Sequence, residues 1–121
     1  MAERGYAFRR RSRLTKSAEI AAVFAHRCST GDRYFSCHGR PNGLGHARLG
    51  LAVSRKAARS AVARNRIKRQ VREAFRHGRE AVAGLDVVVV ARPAAAAARG
   101  AELRGSLERL WTKLAEKCKD C

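Results

Sequence analysis

The segment that most constrains this chain is "ARNRIKRQVREAFRHGR", residues 63–79. It carries six arginines, one lysine and a single acid, so by itself it would repel itself. Yet Ile67, Val71, Ala74 and Phe75 recur in it at helical spacing. On a wheel of ~100° per residue, those four share one side of a helix over residues 64–77. Asn65, Lys68, Arg69, Arg72 and Arg76 share the opposite side, and Arg64 and Arg66 flank the two. Such a helix needs an apolar core for one face and counter-charge for the other. Glu73 is its only acid, within reach of Arg69 at i, i+4 or Arg76 at i, i+3. Each such pair contributes roughly 0.2–0.5 kcal/mol, and like charges at Lys68/Arg72 and Arg72/Arg76 oppose the helix by a similar amount. The rest of the chain does not restore balance: 27 Lys+Arg stand against 10 Asp+Glu, a net +17. That excess calls for a polyanion, nucleic acid first and an anionic membrane surface second. Arginine suits phosphate because its planar fork meets two oxygens at once. Asn65 can donate and accept, which fits a base edge or a 2′-hydroxyl.

Around this helix, 121 residues with 45% hydrophobic content allow one domain with a true core. Residues 1–12 form a basic arm, 13–116 the domain and 117–121 a short tail. Ser17 reads as an N-cap with Glu19 in the first turn, and Ile20, Val23 and Phe24 mark a helix to about Arg27. "CSTGD" (28–32) breaks it. "RYFSCH" (33–38) reads as a strand and "GRPNGLG" (39–45) as a turn. "ARLGLAVSRK" (47–56) alternates, with Leu49, Leu51 and Val53 on one face and Arg48, Gly50, Ala52 and Ser54 on the other. That second, small-residue face either lies open to something flat or is closely covered by a helix. "LDVVVVA" (85–91) is apolar on both faces, a central strand. "AAAAA" (94–98) is a surface turn or an early helix. Leu103, Leu107, Leu110, Trp111 and Leu114 form the core stripe of a last helix. The order α-β-β-α-β-α makes a single α+β domain, and a parallel crossover through the basic helix would by default be right-handed.

Enzyme chemistry finds no residues here. Asp32, Asp86 and Asp120 are isolated, so neither a carboxylate pair nor a carboxylate metal cluster can be read. His26, His38, His46 and His77 have no evident nucleophile partner, and no glycine-rich phosphate loop is present. Cys118 and Cys121 form a C-x-x-C without a second pair. With Cys28 and Cys37 they read as reduced thiols of a cytosolic protein, not a metal site. No apolar run approaches the ~20 residues of a membrane span, and the N-terminus lacks the apolar segment of a secretory signal. Helix-turn-helix, zinc-finger and heptad patterns are missing, whereas a sheet with an open small-residue face suits single-stranded RNA. Phe24 and Phe35 are candidates to stack on bases, though each also suits a core.

These residues resemble a known family. "RNRIKRQVREAFR" (64–76) is similar to the arginine–asparagine–arginine motif of the bacterial ribonuclease P protein subunit. "RLTKSAEIAAVF" (13–24), "RYF" (33–35), "RLGLAVSRK" (48–56) and "VVVVARP" (87–93) resemble that family's other blocks in order, over roughly residues 10–115. The resemblance implies a fold like the second domain of ribosomal protein S5, a mixed sheet packed by helices, with a left-handed crossover through the basic helix. It implies a bacterial cytoplasmic protein that assists a catalytic RNA in removing the 5′ leader of precursor tRNA. The Mg2+ would belong to that RNA, no catalytic residue to the protein, and no membrane or protein partner is expected. By the resemblance, Arg64, Asn65, Arg66, Lys68, Arg69, Arg72 and Arg76 hold the catalytic RNA. Ile20, Phe24, Phe35, Arg48, Ser54, Arg55, Lys56 and Arg92 line or edge the leader cleft, with Phe24 facing it. Two departures stand out. Ile20 replaces the family's usual aromatic, and "AARSAVA" (57–63) lacks the usual glycine and is one residue longer. The alternative is a structural RNA-binding protein of ribosomal type with no role in tRNA processing.

Overall fold

The computed structural model describes residues 12–119. All but the last residue of the expected basic arm, and Cys121, lie outside the described residues. The elements run α1 (Ser17–Ala25), β1 (Cys28–Gly31), β2 (Phe35–Pro41), β3 (Arg48–Ala52), α2 (Ala61–Gly78), β4 (Leu85–Ala91) and α3 (Gly100–Lys119). Short 3-10 turns occupy Arg79–Val82 and Pro93–Ala97. The class is α+β as expected, with one strand more than the sequence indicated. "CSTG" does not merely end α1: it pairs antiparallel with β2, Cys28 opposite Gly39 and Gly31 opposite Ser36. The turn between them is set by Asp32, whose Oδ1 accepts the Tyr34 and Phe35 amides at 2.9 and 3.1 Å. This hairpin delays β2 to Phe35 and carries it to Pro41.

The sheet order is β1-β2-β4-β3, with β4 antiparallel to β2 and parallel to β3. A parallel neighbour requires a crossover, and α2 supplies it. Both faces of β4 are covered, as its unbroken valine run requires. Val87 and Val89 join the main core, while Val88 packs with Leu14 and Val23 on the other side. The main core receives Ile67, Val71, Ala74 and Phe75 of α2, as the wheel predicts. It also receives the α3 stripe from Leu103 to Leu114. Trp111 donates its indole N–H to the Ala74 carbonyl at 3.2 Å. Its ring lies so close to Gly78 that a Cβ there would stand 2.5 Å from Trp111 Cδ1. Cys37 lies in this core, and burial pushes its thiol up to about 12.

Several boundaries moved for local reasons. Lys16, not Ser17, holds the N-cap position of α1; Ser17 is already helical and no side chain caps the turn. The second helix starts at Ala61 because Ser60, in extended backbone, accepts the Ala63 amide at 3.0 Å. The alanine run forms a short 3-10 turn that is only partly at the surface: Ala97 is exposed, while Ala95 and Ala98 are buried in the main core. The last helix continues to Lys119, so residues 117–119 belong to the domain. There Cys118 Sγ sits 2.8 Å from Cys28 Sγ, and Lys117 Nζ donates to the Ser29 carbonyl at 2.7 Å. Among the described residues, no helix is long and apolar enough to cross a membrane.

Candidate nucleic-acid interface

The outward face of α2 is built as the wheel indicates. Asn65, Arg69 and Arg72 are exposed and Lys68 is half-buried. Of the two partners open to Glu73, the structure selects Arg76 and adds His77 at 3.3 Å. The hydrogen bond from Arg76 leads in holding the Glu73 carboxyl below its usual range. No carboxylate among the described residues pairs with Lys68, Arg69 or Arg72.

Arg64 and Arg66, expected to hold the catalytic RNA, each bond loops of the protein itself. Arg64 Nη1 donates to the carbonyls of Ala58 and Arg59, at 3.0 and 2.9 Å. Arg66 donates from Nη1 to Ala98 O at 3.1 Å and from Nη2 to Ala96 O at 2.7 Å. Both lie at the flanks of the wheel, where a long side chain reaches sideways to neighbouring loops. They are half-buried, and Asn65 between them points outward.

The second surface lies on the sheet face beneath α1. Register places Ser29, His38, Val88 and Gly50 in one row across the sheet, and Gly31, Ser36, Val90 and Ala52 in the next. Leu14 covers Gly50, where an added Cβ would meet Leu14 O at 3.3 Å, and Val23 packs on Val88. The second row stays open, with Gly31 and Ala52 exposed and Ser36 and Val90 half-buried. The small-residue face is thus covered at Gly50 by Leu14, in the segment that leads into α1, and left open at Ala52 and Ser54. Phe24 is 40% exposed and lies over His38, ring centroids 4.7 Å apart and tilted 59°. His38 Nε2 is 2.7 Å from Ser36 Oγ. Arg92 reaches over Gly31, with Nη2 3.1 Å from where a Cβ would stand. Burial first, then Arg92, holds the His38 imidazole below its usual pKa. Sequence reasoning missed His38 and Ser36, although the alternation Phe35-Ser36-Cys37-His38 contains the signal.

That alternation also corrects Phe35, which the resemblance placed in the cleft. Its side chain is fully buried in the main core, on the opposite face of β2. Arg48 is on the cleft side but is held by carboxylates. Its guanidinium forks onto Asp86, with Nε to Oδ1 and Nη2 to Oδ2 both at 2.7 Å, and Nη1 reaches Glu19 Oε2 at 3.1 Å. Asp86, nearly fully buried, also accepts Asn42 Nδ2 at 3.0 Å. The aspartate that looked isolated is the centre of a tether joining α1 to the sheet. Asp32 is likewise engaged: burial alone would raise its carboxyl, but the Ser106 hydroxyl and the Tyr34 and Phe35 amides hold it below the usual range.

Beyond β3, Ser54 Oγ accepts the Ala57 amide at 3.2 Å and shapes the turn. Past it, Arg55 and Lys56 come together with Arg59 around a depression of about 550 Å³. Beside β3, a pocket of about 320 Å³ is lined by Arg13, Ile20, Leu49, Leu51 and Arg72. Ile20 of the cleft and Arg72 of the basic helix thus meet across one strand edge. Among the described residues, no three His, Cys, Asp or Glu side chains are grouped to hold a metal ion.

Known proteins share this arrangement. The sequence profile of the Ribonuclease P family matches residues 8–115. The ribonuclease P protein component of Methylococcus capsulatus is 45% identical over 114 residues, covering 94% of this chain and 89% of its own length. That of Chromobacterium violaceum is 46% identical over 110 residues, covering 91% of each. The solved RNase P protein of Staphylococcus aureus superposes with a TM-score of 0.78 at 32% identity, over 88% of this chain and 96% of that one. The Thermotoga maritima RNase P protein gives 0.75 at 31% identity, over 84% and 96%. Matched along nearly its whole length in sequence and in fold, the chain belongs to the ribonuclease P protein family.

Proposed function

We propose that this chain, an RNA-binding subunit of the ribonuclease P endoribonuclease, docks on the catalytic RNA through α2 and receives the 5′ leader of precursor tRNA beneath α1. The observation that carries the reading is the charge left over on α2. Lys68, Arg69 and Arg72 present cations that no carboxylate among the described residues answers, on a helix anchored from behind by Ile67, Val71 and Phe75. Phosphate is the natural counter-charge, and its neutralisation releases condensed cations and drives binding. The cleft suits a single strand. Phe24 and His38 offer ring faces, Ser36 a hydroxyl, and Arg92, Arg55 and Lys56 charge for phosphates along its path.

Cleavage itself belongs to the RNA in this reading. The acids that the structure brings near cations or donors are already engaged: Asp86 by Arg48 and Asn42, Asp32 by Ser106, Glu73 by Arg76. On this reading the protein supplies no general base, and the Mg2+ of the reaction would be held by RNA phosphates. The protein then lowers the magnesium requirement by supplying cations of its own, in a bacterial cytoplasm. The test is cleavage of precursor tRNA by the cognate RNA at low magnesium, with and without the chain. Stimulation is expected, larger for substrates with a long leader. No stimulation overturns the reading.

A further inference from the structure

The two arginines that flank Asn65 are turned toward protein. We infer that Arg64 and Arg66 are positioning residues that brace the first turns of α2 and so aim Asn65 at the RNA. The inference rests on the reading of α2 as the face that docks on the catalytic RNA.

Each brace ends on a loop that is itself fixed. Arg66 takes the carbonyls of Ala96 and Ala98, at the end of the 3-10 turn Pro93–Ala97. Terminal carbonyls of a short helix have no partner within it, so a guanidinium is a fitting cap. The Ala98 amide bonds Ala95 O at 3.3 Å and the Arg99 amide bonds Glu102 Oε1 at 2.9 Å, so this loop is held on both sides of the acceptors. Arg64 takes Ala58 O and Arg59 O. There the Ala57 and Ala58 amides both bond Ser54 O at 3.1 Å, and both alanines are buried. The two ties run to different loops, one before the helix and one after β4, so together they resist rotation of α2 about its axis. One turn further on, Gln70 meets Arg104 of α3 beside Gly100 and extends the support. The planar fork matters: Arg66 uses two nitrogens for two carbonyls, which a single ammonium cannot copy. The long link "AARSAVA" fits the same scheme, because its Ala58 carbonyl is one of the anchor points.

The experiment measures affinity of the full-length chain for the catalytic RNA across a salt series. The variants are Arg66→Ala, Arg66→Lys, Arg64→Ala, Asn65→Ala, Arg72→Ala and the Asn65→Ala/Arg66→Ala double. Bracing predicts that Arg66→Ala weakens binding about tenfold while the slope of log K against log salt stays as in wild type. It predicts that Arg66→Lys binds as weakly as Arg66→Ala, and that the double is no weaker than Arg66→Ala. A slope lowered by about one with affinity restored by lysine would make Arg66 a phosphate contact and overturn bracing. Additive losses in the double, or wild-type binding by Arg66→Ala, would overturn it too. Melting curves identify any variant that fails to fold, and Arg66→Lys and Arg64→Ala then decide the question. Arg72→Ala separates the two readings. If it leaves slope and affinity unchanged, the docking face itself is wrong. If it flattens the slope while Arg66→Lys binds like wild type, only the bracing is wrong.

Discussion

Replacing Asp86 by asparagine probes the tether between α1 and the sheet. The carboxylate accepts three hydrogen bonds, two from Arg48 at 2.7 Å and one from Asn42 at 3.0 Å. Asparagine keeps the shape but offers one oxygen, and turns an amide donor toward a guanidinium. Removing one partner of a buried pair costs about 3–5 kcal/mol. The Asp86 side chain is 3% exposed, but Arg48 keeps 21% of its side chain in water and retains Glu19, which puts the cost near the lower end. About 3 kcal/mol against an unfolding entropy of ~2.1 cal/mol/K per residue lowers the melting temperature of a 121-residue chain by roughly 12 °C. Glu19→Gln is the companion. That pair is more exposed, 33% on the glutamate side, so its loss costs about 0–1 kcal/mol and no more than ~4 °C. Salt should erase the Glu19 effect and leave most of the Asp86 effect, since buried pairs are screened less. Thermal unfolding by circular dichroism measures both. Melting of Asp86→Asn within ~3 °C of wild type, or a larger loss for Glu19→Gln, would refute the argument that burial gives Asp86 its weight.

Phe24→Ala should leave the melting temperature nearly unchanged, because the ring is 40% exposed, yet weaken binding of long-leader precursor by ~1–3 kcal/mol per lost stack. Equal losses on long-leader and one-nucleotide-leader substrates would count against a leader contact. Gly78→Ala drives a Cβ to within 2.5 Å of Trp111 Cδ1; overpacking should cost about 1–3 kcal/mol and change tryptophan fluorescence, and an unchanged melting curve would contradict it. His38 titrates below its ordinary 6.5 in the folded chain, so the unfolded chain takes up the proton first as pH falls. Its contribution to stability is therefore full above about 6.5 and declines below it. His38→Asn should flatten the fall in melting temperature between pH ~7 and ~5, and a profile parallel to wild type would rule this out.

The sequence displayed those elements whose period and burial agree. The valine run of β4, the α3 stripe and the two faces of α2 fall where the pattern puts them, because each is decided by which side of one element meets the core. Strand β1 was hidden because "CSTG" has no apolar alternation of its own. Pairing with β2 makes it a strand, and that pairing depends on the Asp32 turn. Phe35 was placed in the cleft by the resemblance, not by its own alternation. In a strand, one residue of parity moves a side chain to the other face, and Phe35 shares the core face with Cys37 while Ser36 and His38 take the cleft side. Arg48 and Asp86 stand 38 residues apart in the chain, so no local window could join them.

The partners of Arg64 and Arg66 were illegible for a deeper reason. Composition counts carboxylates, but these arginines bind carbonyls, and every residue carries one. A net +17 therefore does not say which guanidiniums are free to turn to phosphate, since a carbonyl satisfies a donor without cancelling its charge. With Arg64 and Arg66 bonded to loops and Arg76 paired with Glu73, the cations of the helix free to turn to phosphate are Lys68, Arg69 and Arg72. At ~0.7–0.9 per phosphate contact, α2 should contribute about 2–3 to the slope of log K against log salt. If all its outward and flanking cations met phosphates, the figure would be about 4–5. A Lys68→Gln/Arg69→Gln/Arg72→Gln chain measures the first quantity directly. Adding Arg64→Gln and Arg66→Gln to it should weaken binding without changing the slope further. A second drop of about 1–2 in slope would show that those two arginines leave their carbonyls to meet the RNA.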